Sequence, residues 1–492
     1  MPRFPRGTPR FAALVLAASL LGSRAGAPET GTSGFAVDSN EDAVDAKIDG
    51  VCATAAGDCT LRAAVMEANA QAGADTITLP IDTIRLSIPP VPDGAGDLAT
   101  ATGDLEITEA VTIQGAGPGR SVVDGGGVDR IFEIWPGTFE VTIRGVTLRN
   151  GNSEGGGAIL NSAVLRLAHC EITGNTAHNF GGGGVTNWTG GQLTVDDCAI
   201  TQNSETGPGG SGGGLANAGS AVIRHSLIDG NQANFVGGGI VNDFPGTLLL
   251  EDSTVSNNQA LVPAAYIYSG GGGIANGGPA TIRNATISGN TAVFSGGGGL
   301  HNTGFSVFLA NVTVSGNSAA TTGGGIWNNY AGGYLDVRYS TIAGNTAAGV
   351  GGIDGVGAMP PSTTNLIGSI VANNAGGNCA GVVVSVAPHH NLDSGGSCGF
   401  AGTGDLSMTD PLLAALADNG GPVATHALTA SSPAIDGADP LECLDFGGLP
   451  LVSDARGAAR PLDGGTGPAV CDIGAYEHFT GVDLIFADGF GI

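Results

Sequence analysis

The sequence predicts an all-β fold, a parallel β-helix: a solenoid of stacked coils entered through one short capping helix. Three observations predict it. An apolar residue recurs at Ile172, Ile200, Ile228, Val255, Ile287, Val314, Ile342 and Ile370, at intervals of 28, 28, 27, 32, 27, 28 and 28 residues. Glycine and asparagine gather at fixed places within each interval, and 88 of the 492 residues are glycine. No helical apolar period runs through the repeats.

Each repeat holds the phrase apolar-x-x-Asn, then a glycine run and a second Asn at 161, 187, 217, 242, 276, 302 and 328. Five residues before each Ile or Val stands another apolar side chain: Leu167, Val195, Ile223, Leu250, Ile282, Leu309 and Val337. A single repeat cannot bury its own apolar face, so the repeats must stack. Stacking in register puts equivalent residues about 4.8 Å apart, as in a parallel sheet. The asparagines then fall into ladders. Turns between short strands call for positive φ, which Gly and Asn tolerate best.

The pattern GNTA, glycine run, Asn, as in "SGNTAVFSGGGGLHN", resembles the polymorphic outer-membrane protein repeat and related right-handed parallel β-helix repeats. It spans Glu106 to Asn374, placing the repeat domain at residues 106–375. The resemblance implies the right-handed form of the solenoid and a secreted or cell-surface protein. Such families include adhesins, and also polysaccharide lyases and hydrolases.

The ends differ from the repeats. Arg3, Arg6 and Arg10, the apolar run Phe11 to Leu21 and Ala25-Gly26-Ala27 read as a secretory signal peptide, residues 1–27. The run is shorter than the ~20 residues of a membrane span. Residues 28–105 form a cap region, in which Leu61, Ala64, Val65 and Ala68 follow helical spacing after Thr60, a suitable N-cap. Cys59, Thr60, Leu61, Arg62, Ala63 and Ala64 are similar to the CSLREA-type N-terminal region of secreted bacterial β-helix proteins, with Thr60 in place of Ser and Ala63 in place of Glu. At the other end, "NLDSGGSCGF", "DPLLAALADNGGPVATHAL", "SSPAIDGA" and "CDIGAYE" are similar to the choice-of-anchor Q domain over residues 376–479. That resemblance implies display or export rather than a reaction. Residues 480–492 are a tail, either a last strand or a sorting signal.

Eight cysteines in an exported chain favour disulfides. Proximity pairs Cys52 with Cys59, Cys379 with Cys398 and Cys443 with Cys471. Cys170 and Cys198 occupy one column of adjacent coils, about 4.8 Å apart, inside disulfide range. A bridge is expected there, with a reduced buried pair as the alternative. No CxxC pair is present, so no structural zinc is expected.

Charge and motifs narrow the function. The chain carries 17 basic and 44 acidic side chains, net −27, and losing Arg3, Arg6, Arg10 and Arg24 with the signal peptide takes this to about −31. Nucleic acid and anionic membrane surfaces are therefore excluded as partners. No GxSxG, HExxH or phosphate-binding loop appears, so no cofactor is expected. His389-His390 has no third ligand at helical or turn spacing, so no metal is expected either.

The place to look for chemistry is a face of the solenoid. Three residues before each repeat Ile or Val stand His169, Asp197, His225, Asp252, Asn284, Asn311 and Tyr339, preceded by Ala168, Asp196, Arg224, Glu251, Arg283, Ala310 and Arg338. As an enzyme, Asp196, Asp197, Glu251 and Asp252 would supply carboxylates or hold calcium, with Arg224 as base or substrate anchor. As structure, Asn, Asp and His suit positive-φ turns, and alternating charge removes repulsion between coils. The structural reading uses fewer assumptions. Tyr266 and Tyr268, in the insertion of the 32-residue repeat, are candidate ligand-binding side chains on a loop. Trp188 and Tyr330 are candidates for stacking on sugar rings, but five coils separate them. The expected function is non-catalytic, an adhesion or display scaffold on the outer membrane surface or secreted. Its partner would be a surface glycan or a host or cell-envelope component. The alternative is a polysaccharide-active lyase or glycoside hydrolase.

Overall fold

A computed structural model describes residues 33–479 apart from 92–99, 262–269, 330–332, 357–361, 382, 440–442 and 466–468. The signal peptide, the tail, Tyr266, Tyr268 and Tyr330 lie outside the described residues.

One coil shows the plan of all. Val185–Asn187 lies in an 11-stranded sheet, Gln192–Asp196 and Ala199–Thr201 in a 24-stranded sheet, and Ser204–Glu205 in an 8-stranded sheet. Successive coils pair in parallel and in register, as in Val195↔Ile223 and Ile200↔Ile228. The two apolar columns point inward. Leu167, Val195, Ile223, Ile172, Ile200 and Ile228 are all fully buried. Burying one such side chain contributes roughly 1.5–3 kcal/mol, and the column repeats it coil after coil.

The turns explain the Gly and Asn columns. Each coil has two left-handed positions. One is filled by His169, Asp197, His225, Asp252, Asn284, Asn311 and Tyr339, with φ of 47–54°. The other is filled by Gly174, Gln202, Gly230, Asn257, Gly289, Gly316, Gly344 and Asn373, with φ of 54–68°. The Asn after this second turn is buried. From Asn175 through Asn203, Asn231, Asn258, Asn290, Asn317 and Asn345 to Asn374, each side-chain amide donates to the next Oδ1 at 2.9–3.0 Å. A second ladder joins Asn161, Asn187, Asn217, Asn242, Asn276, Asn302 and Asn328 at 2.7–3.2 Å. Buried polar groups are thus satisfied by their own copies in the neighbouring coils.

Two sequence expectations are corrected. In the last repeat Ile342 pairs with Val371, not Ile370, because Asn374 rather than Asn373 continues the ladder. Ile370 takes the position of Thr341. The structure holds disulfides Cys52–Cys59, Cys379–Cys398 and Cys443–Cys471, but Cys170 and Cys198 are free, buried thiols. Their column explains this. The Cys170 N–H donates to Cys198 Sγ at 3.2 Å, the Cys198 N–H to Ser226 Oγ at 3.1 Å, and the Ser226 N–H to Ser253 Oγ at 3.1 Å. The thiols act as serine equivalents in a ladder whose parallel side chains keep the strand spacing, whereas a disulfide draws the Cβ atoms to about 3.5–4.5 Å.

At the start, Gly34–Ala36, Asp75–Thr78 and Thr83–Arg85 already belong to the long sheet, so the solenoid begins before the first repeat. The helix Leu61–Ala70 covers this end, capped by Thr60 Oγ1, which accepts from the Ala63 N–H. Leu61, Ala64, Val65 and Ala68 join the solenoid core. Arg62 is fully buried, pairs with Asp42 at 2.6 Å and donates to the carbonyls of Thr100 and Gly103. At the other end the sheets run on to Leu406–Ser407. From about residue 411 the chain folds back along the outer face of the long sheet.

One coil breaks its pattern. In the 8-stranded sheet Glu205 stands between Ala177 and Ala233 in a column that begins at Ser153 and continues as Ala260, Ala292 and Ala319. It is fully buried, one carboxylate oxygen has no partner, and a Cβ at Gly210 would overlap it. Burial raises its pKa to about 7. The folded chain therefore holds this proton more tightly than the unfolded chain does. Stability is full below about pH 4.5, falls as pH rises toward 7, and stays reduced above that. Glu205→Ala is expected to gain about 3 kcal/mol over wild type at pH 8 and little at pH 4.5. Thermal melts at both pH values check this, and an equal difference at the two would refute it.

Candidate functional site

The polar strip predicted from the sequence is real as a juxtaposition. Ala168, Asp196, Arg224, Glu251, Arg283, Ala310 and Arg338 are register partners coil by coil. Beside them the left-handed positions project His169, Asp197, His225 and Asp252 outward. Asp197, His225 and Asp252 line a cleft of about 810 Å³ with Glu171 and Leu227, and Pro118 of an earlier coil and Pro422 of the C-terminal segment also contribute. The C-terminal segment covers the continuation of the strip: Asn311 and Tyr339 are almost wholly buried beneath it.

From His169 to Asp252 the charges of the strip pair with each other, whereas Arg338 pairs with Asp336 of its own strand and the buried Arg283 Nε has no partner. Arg224 Nε lies 2.9 Å from Glu251 Oε2. His225 Nδ1 lies 3.1 Å from Asp196 and its Nε2 3.8 Å from Asp252, and His169 lies 3.6 Å from Asp197. The hydrogen bond to Asp196, aided by the charges of Asp252 and Asp197, holds the His225 pKa above the ordinary imidazole value. Asp197 and Asp252 sit two coils apart, about 9.6 Å between backbones, with His225 between them. In an inverting glycosidase the space between two carboxyls at such a separation holds the attacking water. Here an imidazole occupies the intervening coil. Among the described residues no group of three or more His, Cys, Asp or Glu is placed to hold a metal ion.

A second concavity escaped the sequence reading. On the 11-stranded sheet the outward side chains Ala216 and Val241 form an apolar floor with Val236. Phe180, Trp188 and Phe235 stand around it, with Asp243 and Ser211, enclosing about 270 Å³. Phe180 and Trp188 are 43% and 47% exposed, with ring centroids 5.9 Å apart. The rim continues into Phe244 and Phe305, which stack at 5.1 Å and 12°. Phe180 and Phe235 precede glycine runs, and Phe244 and Phe305 follow an Asn of the second ladder, in neither case at a fixed offset. They form no column in the sequence, so only Trp188 was legible there.

Residues 108–278 match the right-handed β-helix region family. The chain is thus an all-β, right-handed parallel β-helix with disulfides near both ends. Among solved structures it is similar to the crystal structure of pectate lyase Pel9A, at 13% identity over 92% of this chain and 98% of that one, with a TM-score of 0.45. No curated protein sequence matches it. Among the described residues no helix is long and apolar enough to cross a membrane.

Proposed function

We propose that this chain is an exported, non-catalytic β-helix protein of the bacterial cell envelope, an adhesion or display scaffold at the outer membrane surface. One observation carries the non-catalytic reading: Asp196, Asp197, Arg224, Glu251 and Asp252 are each already paired within the strip. A general acid or base must reach the substrate's proton, and a lyase needs a cation where negative charge develops. The resemblances to the polymorphic outer-membrane protein repeat, the CSLREA-type region and the choice-of-anchor Q domain support export and display. The partner is a surface glycan or another cell-envelope component.

The 810 Å³ cleft is what favours the second reading, a polysaccharide-active enzyme. A degradation screen of the mature chain against neutral and acidic polysaccharides, with and without calcium, separates the two. The expected result is no sugar release. Release that disappears in folded Asp197→Ala or Asp252→Ala would overturn the proposal and make the cleft an active site.

A further inference from the structure

The cavity on the 11-stranded sheet lies away from the strip and takes part in none of its pairing. We infer that it is a binding groove for a neutral polysaccharide chain, with Trp188, Phe180 and Phe235 as the platforms on which sugar rings lie. This rests on the non-catalytic reading above and names the ligand that the scaffold holds.

The argument starts from what the coils hold rigid. Trp188, Ala218 and Asp243 each follow an Asn of the second ladder in successive coils, since Asn187, Asn217 and Asn242 are register partners. Those asparagines donate to one another at 2.7–2.8 Å, so the backbone beneath the rim is fixed before any ligand arrives. Two further coils, through Asn276 to Asn302, bring the rim to Phe305. Four strand spacings make this row about 19 Å long. Phe180 and Trp188 stay 43% and 47% exposed on this rigid surface, and aromatic groups are where binding surfaces concentrate their energy.

The chemistry of the lining selects the occupant. The floor is built of small side chains, Ala216 and Val241, and its 270 Å³ is little room for the row of anchors that a helix inserts. Every strand beneath it is paired on both sides, leaving no sheet edge for an added peptide strand. A pyranose fits what remains. Its apolar C–H faces lie on ring faces, while its hydroxyls reach polar groups at the edges. The Asp243 carboxylate and Ser211 both line the groove. Charge decides between glycans. An acidic chain with a carboxylate in the groove repels polyuronates, and a neutral chain has hydroxyls to donate to that carboxylate.

The test is affinity electrophoresis of the mature chain in gels holding xyloglucan, galactomannan, hydroxyethylcellulose or laminarin, with polygalacturonate as the acidic comparison. At least one neutral polymer is expected to retard it, and polygalacturonate is not. Trp188→Ala and Phe235→Ala are each expected to weaken that retardation at least tenfold, with circular dichroism unchanged. Asp197→Asn, in the cleft, should leave it as it is. Retardation by polygalacturonate alone, by none of the polymers, or equally in wild type and the Trp188→Ala/Phe235→Ala double variant would overturn the inference. So would self-association that Trp188→Ala abolishes, which would give the groove to a second copy. Sugar release dependent on Asp197 would defeat the non-catalytic reading and leave groove binding standing, so the two failures are distinguishable.

Discussion

Ile287→Asp is expected to unfold the chain or split the solenoid at that coil. Ile287 is fully buried between Val255 above and Val314 below. The substitution removes a core side chain and leaves a carboxylate without a partner in a dry column. The lost burial costs roughly 2 kcal/mol and the unpaired carboxylate several more. Each coil leans only on its neighbours, so a failed coil interrupts the stack rather than being absorbed by it. Thermal melting followed by circular dichroism checks this, with Arg283→Ala, on the outward face of the same strand, expected to shift the transition little. A melting curve for Ile287→Asp that overlays wild type would refute the register.

Arg460→Met is expected to release the C-terminal segment while the solenoid stays folded. The Arg460 guanidinium is fully buried and joins the two parts. It pairs with Glu477 at 2.7 Å, donates to the Asp472 and Gly474 carbonyls, and reaches Asn311 Oδ1 of the solenoid at 2.8 Å. It also lies 5.1 Å from the Tyr339 ring centre. Removing one member of a buried ion pair costs about 3–5 kcal/mol, because the other charge is left in place. Glu477, almost wholly buried, would be that charge. Limited proteolysis should then cut near residue 411 and leave a resistant solenoid. Unchanged protease resistance would show that the other contacts, such as Asn311 to the Ser453 carbonyl, hold the segment alone.

Glu205 shows why a repeat's exceptions are informative. Its column is alanine in the neighbouring coils, and the departure from that pattern marks a buried acid whose ionisation lowers stability above neutrality. The repeat makes such a departure visible in the sequence. The burial that gives it its pH dependence is not visible there, because the loop over it, with Gly210 against the carboxylate, has no counterpart of fixed length in other coils.

What the sequence determined by itself was the solenoid. A coil's strands, its two left-handed turns and its ladders are set by contacts with the coil before and the coil after. Those contacts repeat every 28 residues or so and therefore appear as columns. Ile200, Asn203 and Asp197 could be assigned to core, ladder and turn on that basis. Tertiary structure decided whatever lies outside the period. The Arg460–Asn311 contact joins residues 149 apart, and no spacing rule reaches it. Cys170 and Cys198 were placed in the right column, but whether they bond depended on where the backbone N–H beside them finds its acceptor. The aromatic groove was hidden for the same reason. Phe180 and Trp188 flank the one strand Val185–Asn187, but Phe235 comes from a later coil, and only the winding of the chain brings its ring to the same hollow.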